Sequence, residues 1–440
     1  MSQLLHSPRL AARAIDVVVI GAGHAGLAIS RILATRGVEH IVLERGEVAN
    51  SWRHERWDSL KLLTPNWQTR LPGFAYDGDD PDGFMSIAEL IGVLDEYARA
   101  TNAPIITGTE VTSVRREGDG YLVLTNRGAW NARVVVLATG ACNAPSVPKV
   151  ADDVPADITQ LTPFDYRSPE DVPAGSTLIV GASATGLQLA DELLKAGRNV
   201  VLAAGEHVRM PRRYRGKDIF YWMTQSGIHD ERYEEVDDIA RGRRLPSPQL
   251  VGSTNLPILD INHLQEQGAR IAGRLMRICD GEAQFSGSLR NICQLADLKM
   301  KRLLKLIDET ADLEGAPMGE TVAPTHVDDE PLLSLDLNKS DVRSVIWATG
   351  FRPDYSWLDI DVLDHKGHLR HDGGVVDSEG LYVLGLPLMR RRKSSFIFGI
   401  EDDARDIANH LIDYMTNLTR RESDDFYYDN TAVGGYRRPA

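Results

Sequence analysis

Cysteine is scarce in this sequence, with three residues among 440. Cys142, Cys279 and Cys293 lie far apart along the chain, and no two of them form a CxxC pair. We therefore expect neither a disulfide framework nor a metal site, and the cysteine content is typical of a protein of the reducing cytoplasm.

Basic charge and long apolar runs are also lacking. The chain carries 49 Lys and Arg against 63 Asp and Glu, a formal net charge of −14, so a nucleic-acid partner is not expected. No apolar run approaches the roughly 18 residues that a membrane helix needs. The amino terminus, MSQLLHSPRLAAR, has no apolar signal core. These absences predict a cytoplasmic protein without a membrane anchor.

An internal repeat dominates what is present. The segments VVVIGAGHAGLAISRILATRGVEHIVLE, Val17–Glu44, and TLIVGASATGLQLADELLKAGRNVVLAA, Thr177–Ala204, align without a gap. Each reads as an apolar strand, a glycine turn, a helix and a second apolar strand, which is the opening βαβ unit of a dinucleotide-binding domain. Two equally spaced copies are far stronger evidence than one, and they predict two dinucleotide sites.

The glycines of the two turns have separate tasks. The first permits the tight turn and the third lets helix and strand pack closely, while the middle one gives the backbone room to approach a pyrophosphate at the helix amino terminus. Ser183 stands at the middle position of the second copy, and its small side chain modifies that site without abolishing it. The turn residues expected at the ligands are Gly21, Gly23 and Gly26 in the first copy and Gly181, Ser183, Ala184, Thr185 and Gly186 in the second.

The second strands of the two copies end differently. Glu44 lies 23 residues after Gly21 (44 − 21), where a carboxylate accepts hydrogen bonds from a ribose 2′-hydroxyl. The equivalent position of the second copy (181 + 23) is Ala204, followed by a turn with several arginines. The donor groups of arginine suit phosphate, so the second site is predicted to bind NADP. If Glu206 accepted from the ribose hydroxyl as Glu44 does in the first copy, it would favour NAD instead. The arginines assigned to the 2′-phosphate are Arg209, Arg212 and Arg213.

The strand ending in ATG at residues 134–140 recurs at 342–350, and each copy is expected to close one dinucleotide domain. The predicted fold class is α/β, with two doubly wound, Rossmann-like domains. Residues 1–154 and 345–440 form the first domain, and residues 155–344 form the second, which is inserted into the first. A helical insert at about 215–320 exceeds what a small dinucleotide domain needs.

The chain resembles the flavin-containing monooxygenase superfamily (class B flavoprotein monooxygenases), in particular bacterial members related to the plant auxin-forming monooxygenases. The resemblance is carried by GAGHAGLA, SWRHERWDSLKLLTP, VVVLATGACNAPSVP, VIWATGF and GLYVLGL. It implies FAD in the first domain and NADPH in the second. It further implies that the FAD is contacted by Glu44, Arg45, Trp52, Arg53, Val111, Thr139, Gly140 and Gly385.

Two regions depart from the superfamily's pattern. Of the usual aromatic, Gly and His positions between the domains only Tyr166 fits, which puts the coupling of that hinge to NADPH in doubt. Many relatives carry an Asn near the flavin where this chain has Leu63. The neighbouring Thr64 and Asn66 are therefore the candidate catalytic residues. The basic run Arg390–Lys393 either borders the flavin pocket or is a solvated loop.

The resemblance implies a monooxygenase that uses FAD and NADPH. It would insert one oxygen atom of O2 into a small organic substrate by way of a C4a-(hydro)peroxyflavin, and a homodimer is expected. An NADPH-dependent flavin reductase of the diaphorase type, without oxygenation, is the alternative enzyme. A non-catalytic nucleotide-binding or redox-sensing module is the alternative outside enzymes.

Overall fold

The computed structural model describes residues 12–256 and 258–432. The ends of the expected first domain, residues 1–11 and 433–440, lie outside the described residues, and so do the first eleven residues of the segment on which the signal-peptide expectation rests. The chain enters through strand β1 (Arg13–Ile20), helix α1 (His24–Thr35) and strand β2 (His40–Leu43). Val17–Ile20 and all of β2 are buried because these parallel strands are covered on both faces.

The first domain then adds two helices and four strands. Helix α3 begins at a capping box, in which the Ser86 hydroxyl accepts from the backbone N–H of Glu89 and the Glu89 carboxylate accepts from that of Ser86. The elements are α2 (Asn50–His54), α3 (Ile87–Ala100), β3 (Ile105–Ile106), β4 (Val111–Glu117), β5 (Gly120–Thr125) and β6 (Gly128–Leu137).

The second domain repeats the βαβ opening. Its strands are β7 (Thr159–Leu161), β8 (Ser176–Val180), β9 (Val200–Ala203), β10 (Arg270–Ala272), β11 (Leu275–Cys279), β12 (Glu282–Phe285), β13 (Ser334–Asp336) and β14 (Val342–Trp347). A parallel sheet is formed in the order β7-β14-β8-β9-β10, and β11-β12-β13 form a separate antiparallel sheet. Strand β14 belongs to this domain, so the return to the first domain follows Trp347, later than the expected residue 345.

The helices of the second domain are α4 (Ala184–Lys195), α5 (Ile219–Gln225), α6 (Ile239–Gly242), α7 (Ile261–Glu266) and α8 (Leu289–Leu313). The segment expected to be a helical insert, residues 215–320, is in fact mixed. It contains β10, which is a strand of the parallel sheet itself, and the antiparallel pair β11 and β12. The part added to the dinucleotide fold is therefore smaller than the sequence indicated.

The chain returns to complete the first sheet with β15 (His371–Asp372), β16 (Val375–Val376) and β17 (Leu381–Val383), and ends in α9 (Ile400–Ala432), which packs on α1. Within the described residues the sheet runs β15-β16-β17-β6-β1-β2-β3, with β5 beside β6 and β4 beside β5. Shorter pairs are Arg70–Leu71 with Phe74–Ala75, Ala144–Pro145 with Phe351–Arg352, Val208–Arg209 with Pro248–Gln249, and Arg213–Tyr214 with Lys217–Asp218.

Two absences can be stated for residues 12–256 and 258–432. No helix there combines the length and the apolar character that crossing a membrane requires. No group of three or more His, Cys, Asp or Glu side chains is placed to hold a metal ion.

Candidate active site

The first glycines of the two turns occupy the same structural position. Gly21 and Gly181 have φ values of +107° and +116°, which residues other than glycine rarely adopt. A Cβ at Gly21 would lie 2.6 Å from the carbonyl oxygen of Ala138, and one at Gly181 would lie 2.2 Å from that of Ala348. Each turn therefore crosses directly over the ATG segment of its own domain, and only glycine fits there.

The third glycines join helix to turn. A Cβ on Gly26 would lie 1.9 Å from the carbonyl oxygen of Gly21, and a Cβ on Gly186 would lie 1.9 Å from that of Gly181. Both contacts are with backbone, which cannot swing aside. Helices α1 and α4 can therefore approach their strands only because these positions lack a side chain.

The middle position of the first turn faces open space. A Cβ on Gly23 would meet nothing within 4 Å. Gly23 (φ −79°) and Ser183 (φ −80°) share one extended backbone conformation that any residue adopts, so serine introduces no strain. The Ser183 hydroxyl makes no capping bond to α4, although the residue is its N-cap. Space of this kind at a helix amino terminus fits a pyrophosphate, which the backbone N–H groups and the helix dipole would stabilise.

Glu44 is held in place by the first turn. Its Oε2 accepts a hydrogen bond from the Ala22 N–H at 2.8 Å, and its Oε1 accepts one from the Gly46 N–H at 3.0 Å. The side chain is buried, and each oxygen keeps a further lone pair with which to accept from a ribose hydroxyl. At the matching place in the second domain Ala204 offers no acceptor, and its N–H donates to the Ala272 carbonyl.

The loop after Glu44 is anchored by ion pairs. Arg45 pairs with Glu55, and Arg53 donates to the Asp95 carboxylate of α3 at 2.5 Å. Trp52 lies under the Arg56 guanidinium, 5.4 Å from ring centroid to Cζ. Arg45 and Arg53 are thus positioned by acids. Val111, also expected at the FAD, begins β4.

Three residues expected near the flavin lie around the same turn. The Cα of Thr139 would be 3.4 Å from a Cβ on Gly21. Gly140 follows with φ +76°. Gly385, with φ +86°, follows β17, and a Cβ there would lie 3.1 Å from the Cβ of Ala25 in the first turn of α1. The structure therefore brings the ATG segment and Gly385 together at the amino end of α1.

Thr64 and Asn66 are both buried, with 8% and 7% of their surface exposed. The Asn66 side-chain amide donates to the Asp80 carbonyl at 2.9 Å. Its Oδ1 is buried and has no hydrogen-bond partner among the described residues. Leu63 precedes Thr64 in the same loop, and its carbonyl oxygen accepts a 2.7 Å hydrogen bond from the guanidinium of Arg212. The second domain thus holds the loop that carries both catalytic candidates.

The arginines expected at the 2′-phosphate are placed differently from that expectation. Arg209 is 2% exposed; it donates to the Asp260 carboxylate through Nε and Nη2 and to the Asp297 carboxylate at 2.7 Å. Nη1 of Arg209 also donates to the Ala323 carbonyl, at 2.8 Å. Its guanidinium is therefore committed to a buried ion-pair network, and we withdraw its assignment to a phosphate.

Arg212 and Arg213 also need correction. Arg212 is 1% exposed, pairs with Asp218 at 2.6 Å and lies between the rings of Phe84 and Phe220. Arg212 therefore connects the second domain to the loop that carries Leu63, Thr64 and Asn66, and its guanidinium is not available to a nucleotide. Arg213 is exposed, but its guanidinium donates to the Gly216 carbonyl across its own hairpin, and no contact places it at the turn 181–186.

The basic run Arg390–Lys393 is neither a solvated loop nor an unpaired anion site. Arg390 and Arg391 pair with acids of α9, which are Asp406 for the first and Asp403 and Asp406 for the second. The other two cations reach acids of the second domain, Arg392 pairing with Glu231 and Lys393 with Asp230 at 2.5 Å. The run therefore connects the two domains beside α9.

Comparisons with known proteins agree with this geometry. A family described as pyridine nucleotide-disulphide oxidoreductase matches residues 18–228. An uncharacterized CzcO-like oxidoreductase from Geobacillus kaustophilus (strain HTA426) is 32% identical over 91% of this chain and 99% of its own length. The chain belongs to the CzcO-like oxidoreductases.

This chain is also similar to flavin monooxygenases. Indole-3-pyruvate monooxygenase YUCCA4 of Oryza sativa subsp. japonica is 27% identical over 47% of this chain and 52% of that protein. A doubly substituted flavin monooxygenase from Stenotrophomonas maltophilia has the same fold, with a TM-score of 0.64 at 20% identity, covering 92% of this chain and 99% of that one. The expected α/β fold class is thus confirmed, and both similarities support the expected superfamily.

The residues present fit the two cofactors of such an oxidoreductase. Open space at Gly23, the acceptor Glu44 and unpartnered buried atoms at His24 (Nε2) and Asn66 (Oδ1) fit FAD in the first domain. Ser183 has the same backbone conformation as Gly23 and its hydroxyl caps no N–H group of α4, which fits a second dinucleotide. This CzcO-like chain is therefore an oxidoreductase whose residues fit FAD in the first domain and a nicotinamide dinucleotide in the second, and the comparisons support the expected cofactors, FAD and NADPH.

One residue near the second turn was missed by the sequence reasoning. Gln249 is fully buried, and its amide donates to the Ala182 carbonyl at 2.8 Å, while its Oε1 has no partner among the described residues. It lies 67 residues beyond Ala182 in the chain, and no motif marks it. Only the folded insert brings it to the turn.

An aromatic cluster beside the loop that carries Thr64 and Asn66 contains a buried histidine. This histidine should make the folding stability of the oxidoreductase fall at acidic pH. His229 packs against the rings of Phe220, Phe396 and Phe398, and burial lowers its pKa from 6.5 to about 4. The unfolded chain therefore binds more protons than the folded one at pH values between these two. The stability that neutral His229 contributes is present above about pH 6.5 and is lost as the pH falls toward 4.

We expect His229→Gln to flatten this acid response. Between pH 7 and pH 5 the native histidine should account for about 2 kcal/mol of the fall in unfolding free energy, since one pKa unit corresponds to about 1.4 kcal/mol. Urea unfolding of both proteins at the two pH values measures the difference. Equal pH dependence in the wild type and the variant would show that His229 is not buried as a neutral imidazole.

Proposed function

We propose that this protein is a FAD- and NADPH-dependent monooxygenase that transfers one oxygen atom of O2 to a small organic substrate, with a C4a-(hydro)peroxyflavin as the oxygen donor. The observation that carries the proposal is the pairing, in one chain, of two equivalent turns with different strand ends. Glu44 suits a free ribose, as in FAD, whereas Ala204 leaves the second site without that acceptor.

The FAD would lie along the first turn and its loop. Gly21, Gly23 and Gly26 would admit the pyrophosphate, and Glu44 would accept from the ribose. The remaining FAD contacts proposed are Arg45, Trp52, Arg53, Val111, Thr139, Gly140 and Gly385. The nicotinamide dinucleotide would lie on the second turn, at Gly181, Ser183, Ala184, Thr185 and Gly186.

The flavin supplies the hydride acceptor and the oxygen chemistry, and this chain's residues supply position and dryness. Thr64 and Asn66 are proposed to hydrogen-bond at the reacting side of the flavin, Thr64 through its hydroxyl and Asn66 by accepting at Oδ1, the atom that has no partner among the described residues. Arg212 fixes their loop through the Leu63 carbonyl. Phe220 and Phe396 pack in one apolar cluster with Leu63 of that loop, and His229 and Phe398 contact these rings. We propose that this cluster excludes water from the loop.

Isotope labelling tests this function. Anaerobic addition of NADPH should bleach the yellow flavin, and readmission of ¹⁸O2 in the presence of amines, sulfides, ketones or 2-oxo acids should give a product that carries one ¹⁸O atom. The expected result is a product heavier by one labelled oxygen per NADPH consumed, measured by mass spectrometry.

Other outcomes select the alternatives. Rapid bleaching followed only by H2O2 release, with fast reduction of dyes, would identify a flavin reductase of the diaphorase type. A protein without flavin or NADPH binding would leave a non-catalytic nucleotide-binding module. A disulfide-reductase reaction of the dithiol kind has no support, because Cys142, Cys279 and Cys293 lie far apart in the sequence and form no CxxC pair.

A homodimer and a cytoplasmic location also remain proposals. The outer side of α8 exposes large apolar side chains that a second copy would cover: Leu295, Leu298, Leu306 and Leu313. Light scattering of the purified protein tests the assembly, since a dimer would have twice the 48.6 kDa mass of the chain. Cell fractionation tests the location.

A further inference from the structure

The carboxyl edge of the second sheet carries a group of cations that the motif analysis did not identify. Strands β9 and β10 run side by side in parallel, with Ala203 opposite Ala272, and both end at this edge. β9 continues into Gly205 and Glu206, and β10 continues into Arg274. In a doubly wound sheet this edge holds the ligand, and the end of the second βαβ strand lies at the adenosine ribose.

Arg274 stands over the backbone at that point. Its Nε lies 3.5 Å and its Nη2 3.9 Å from where a Cβ on Gly205 would be. The residue is exposed, and within the described part of the chain its guanidinium makes no hydrogen bond or close ion pair, in contrast to Arg209 and Arg212. Its fork of donors is thus available to an incoming anion.

The only acid at the end of β9, Glu206, is already neutralised. Its Oε1 lies 2.8 Å from Nζ of Lys299, which projects from α8. That hydrogen bond, together with the positive charges of Lys299, Arg241 and Arg274, lowers the pKa of the Glu206 carboxyl. Glu206 therefore has Lys299 as its partner and Arg274 over the preceding residue, Gly205, so two cations stand against one carboxylate.

The first domain shows the opposite arrangement at the same place. Glu44 is buried, and backbone N–H groups hold both of its oxygens, so it remains an acceptor for a ribose diol. Glu206 is about half exposed and its partner is an ammonium group. A diol prefers the first environment, and a phosphate dianion prefers the second.

We propose that Arg274 binds the 2′-phosphate of NADP(H) directly, and that Lys299 makes this possible by pairing with Glu206, which would otherwise repel the phosphate. The assignment rests on the proposed function in one respect, namely that a nicotinamide dinucleotide lies on the turn 181–186. It replaces the three arginines that the sequence favoured, and it also answers why Glu206 does not select NAD(H).

Binding of adenosine phosphates to the flavin-loaded protein tests Arg274 without turnover. Calorimetry with 2′,5′-ADP and with 5′-AMP compares ligands that differ by the 2′-phosphate alone. Arg274→Ala should weaken 2′,5′-ADP about tenfold or more, the loss of one charge-assisted contact, and change 5′-AMP less than about threefold. Arg274→Gln, which keeps a long polar side chain, should behave in the same way.

The matched control is Arg270→Ala. Arg270 is an exposed arginine at the first position of the same strand, β10, and therefore lies at the opposite edge of the sheet, about 13 Å away along four residues. Both ligands should bind this variant as they bind the wild type. If Arg270→Ala lost as much affinity for 2′,5′-ADP as Arg274→Ala, the assignment would be overturned. The effect would then come from the removal of any positive charge and not from contact with the phosphate.

Lys299 is a positioning residue that acts through Glu206. Its role is therefore tested by a second substitution, at Glu206, that should restore the lost affinity. Lys299→Gln should weaken 2′,5′-ADP selectively, because Glu206 then faces the phosphate with its charge unpaired. Adding Glu206→Gln should restore at least part of that affinity. Absence of rescue would overturn the role given to the pair.

The outcomes separate this inference from the proposed function. If NADPH reduces the flavin but Arg274→Ala affects both ligands equally or neither, the function stands and the inference fails. If wild-type protein shows no flavin reduction by either nicotinamide and binds neither adenosine phosphate, both fail together.

Discussion

Replacement of Gly23 by valine is expected to yield a folded protein that purifies without FAD. A Cβ at this position meets no protein atom within 4 Å, and the φ of −79° suits any residue. The cost to the fold is a poorer N-cap of α1, about 1 kcal/mol. The branched side chain would instead fill the space that the pyrophosphate needs. The ratio of flavin to protein absorbance, together with the thermal midpoint of the apoprotein, measures both effects.

The third glycine provides the contrast that makes this prediction specific. Gly26→Val would place its Cβ 1.9 Å from the Gly21 carbonyl oxygen and force α1 away from its strand, so both the fold and FAD should be lost. Gly92→Ala, in the middle of α3 with nothing within 4 Å, is the control and should keep FAD while gaining about 1 kcal/mol. Full FAD content in Gly23→Val would place the pyrophosphate elsewhere.

Sequence alone was enough for the two βαβ units because their determinants are local. The spacing of Gly21, Gly26 and Glu44 fixes a turn, a helix contact and a strand end within fewer than 30 residues, and the second copy repeats it. Short-range patterns of this kind survive without knowledge of the tertiary fold. The confirmed fold class follows from them.

The arginines show where such reasoning ends. A guanidinium fork binds a carboxylate as well as a phosphate, so a basic turn does not reveal its partner. Arg209 meets Asp260 and Asp297, which are 51 and 88 residues away in the sequence. Arg274, in contrast, follows a strand of three residues that carries no recognisable pattern. Its place at the ligand edge depends on strand order, which only the folded chain supplies.

The insert was misjudged for a related reason. β10 is three residues long, and nothing in its sequence separates it from the surrounding loops. It nevertheless extends the parallel sheet next to β9. Periodicity detects α8, a 25-residue amphipathic helix, and overlooks a short strand whose stability comes from its neighbours.

Arg209→Met should be among the most destabilising single substitutions in the second domain while leaving nucleotide selection unchanged in the protein that still folds. The change would leave Asp260 and Asp297, both nearly fully buried, without the guanidinium that pairs with both of them. Loss of one partner from a buried ion pair costs about 3–5 kcal/mol. Arg213→Met is the control, because that guanidinium is exposed and bonds only its own hairpin carbonyl; it should shift stability by less than about 0.5 kcal/mol.

Denaturant unfolding followed by tryptophan fluorescence measures this difference, and the ratio of affinities for 2′,5′-ADP and 5′-AMP is measured on the same samples. A stable Arg209→Met protein with a selective loss of 2′,5′-ADP binding would restore Arg209 to the phosphate site and contradict the burial. The expected pattern is the reverse, since Asp260 also caps α7 and Asp297 also accepts from the Thr325 N–H. Arg209 neutralises two carboxylates that hold three segments of the domain together, and that duty leaves its charge unavailable to a ligand.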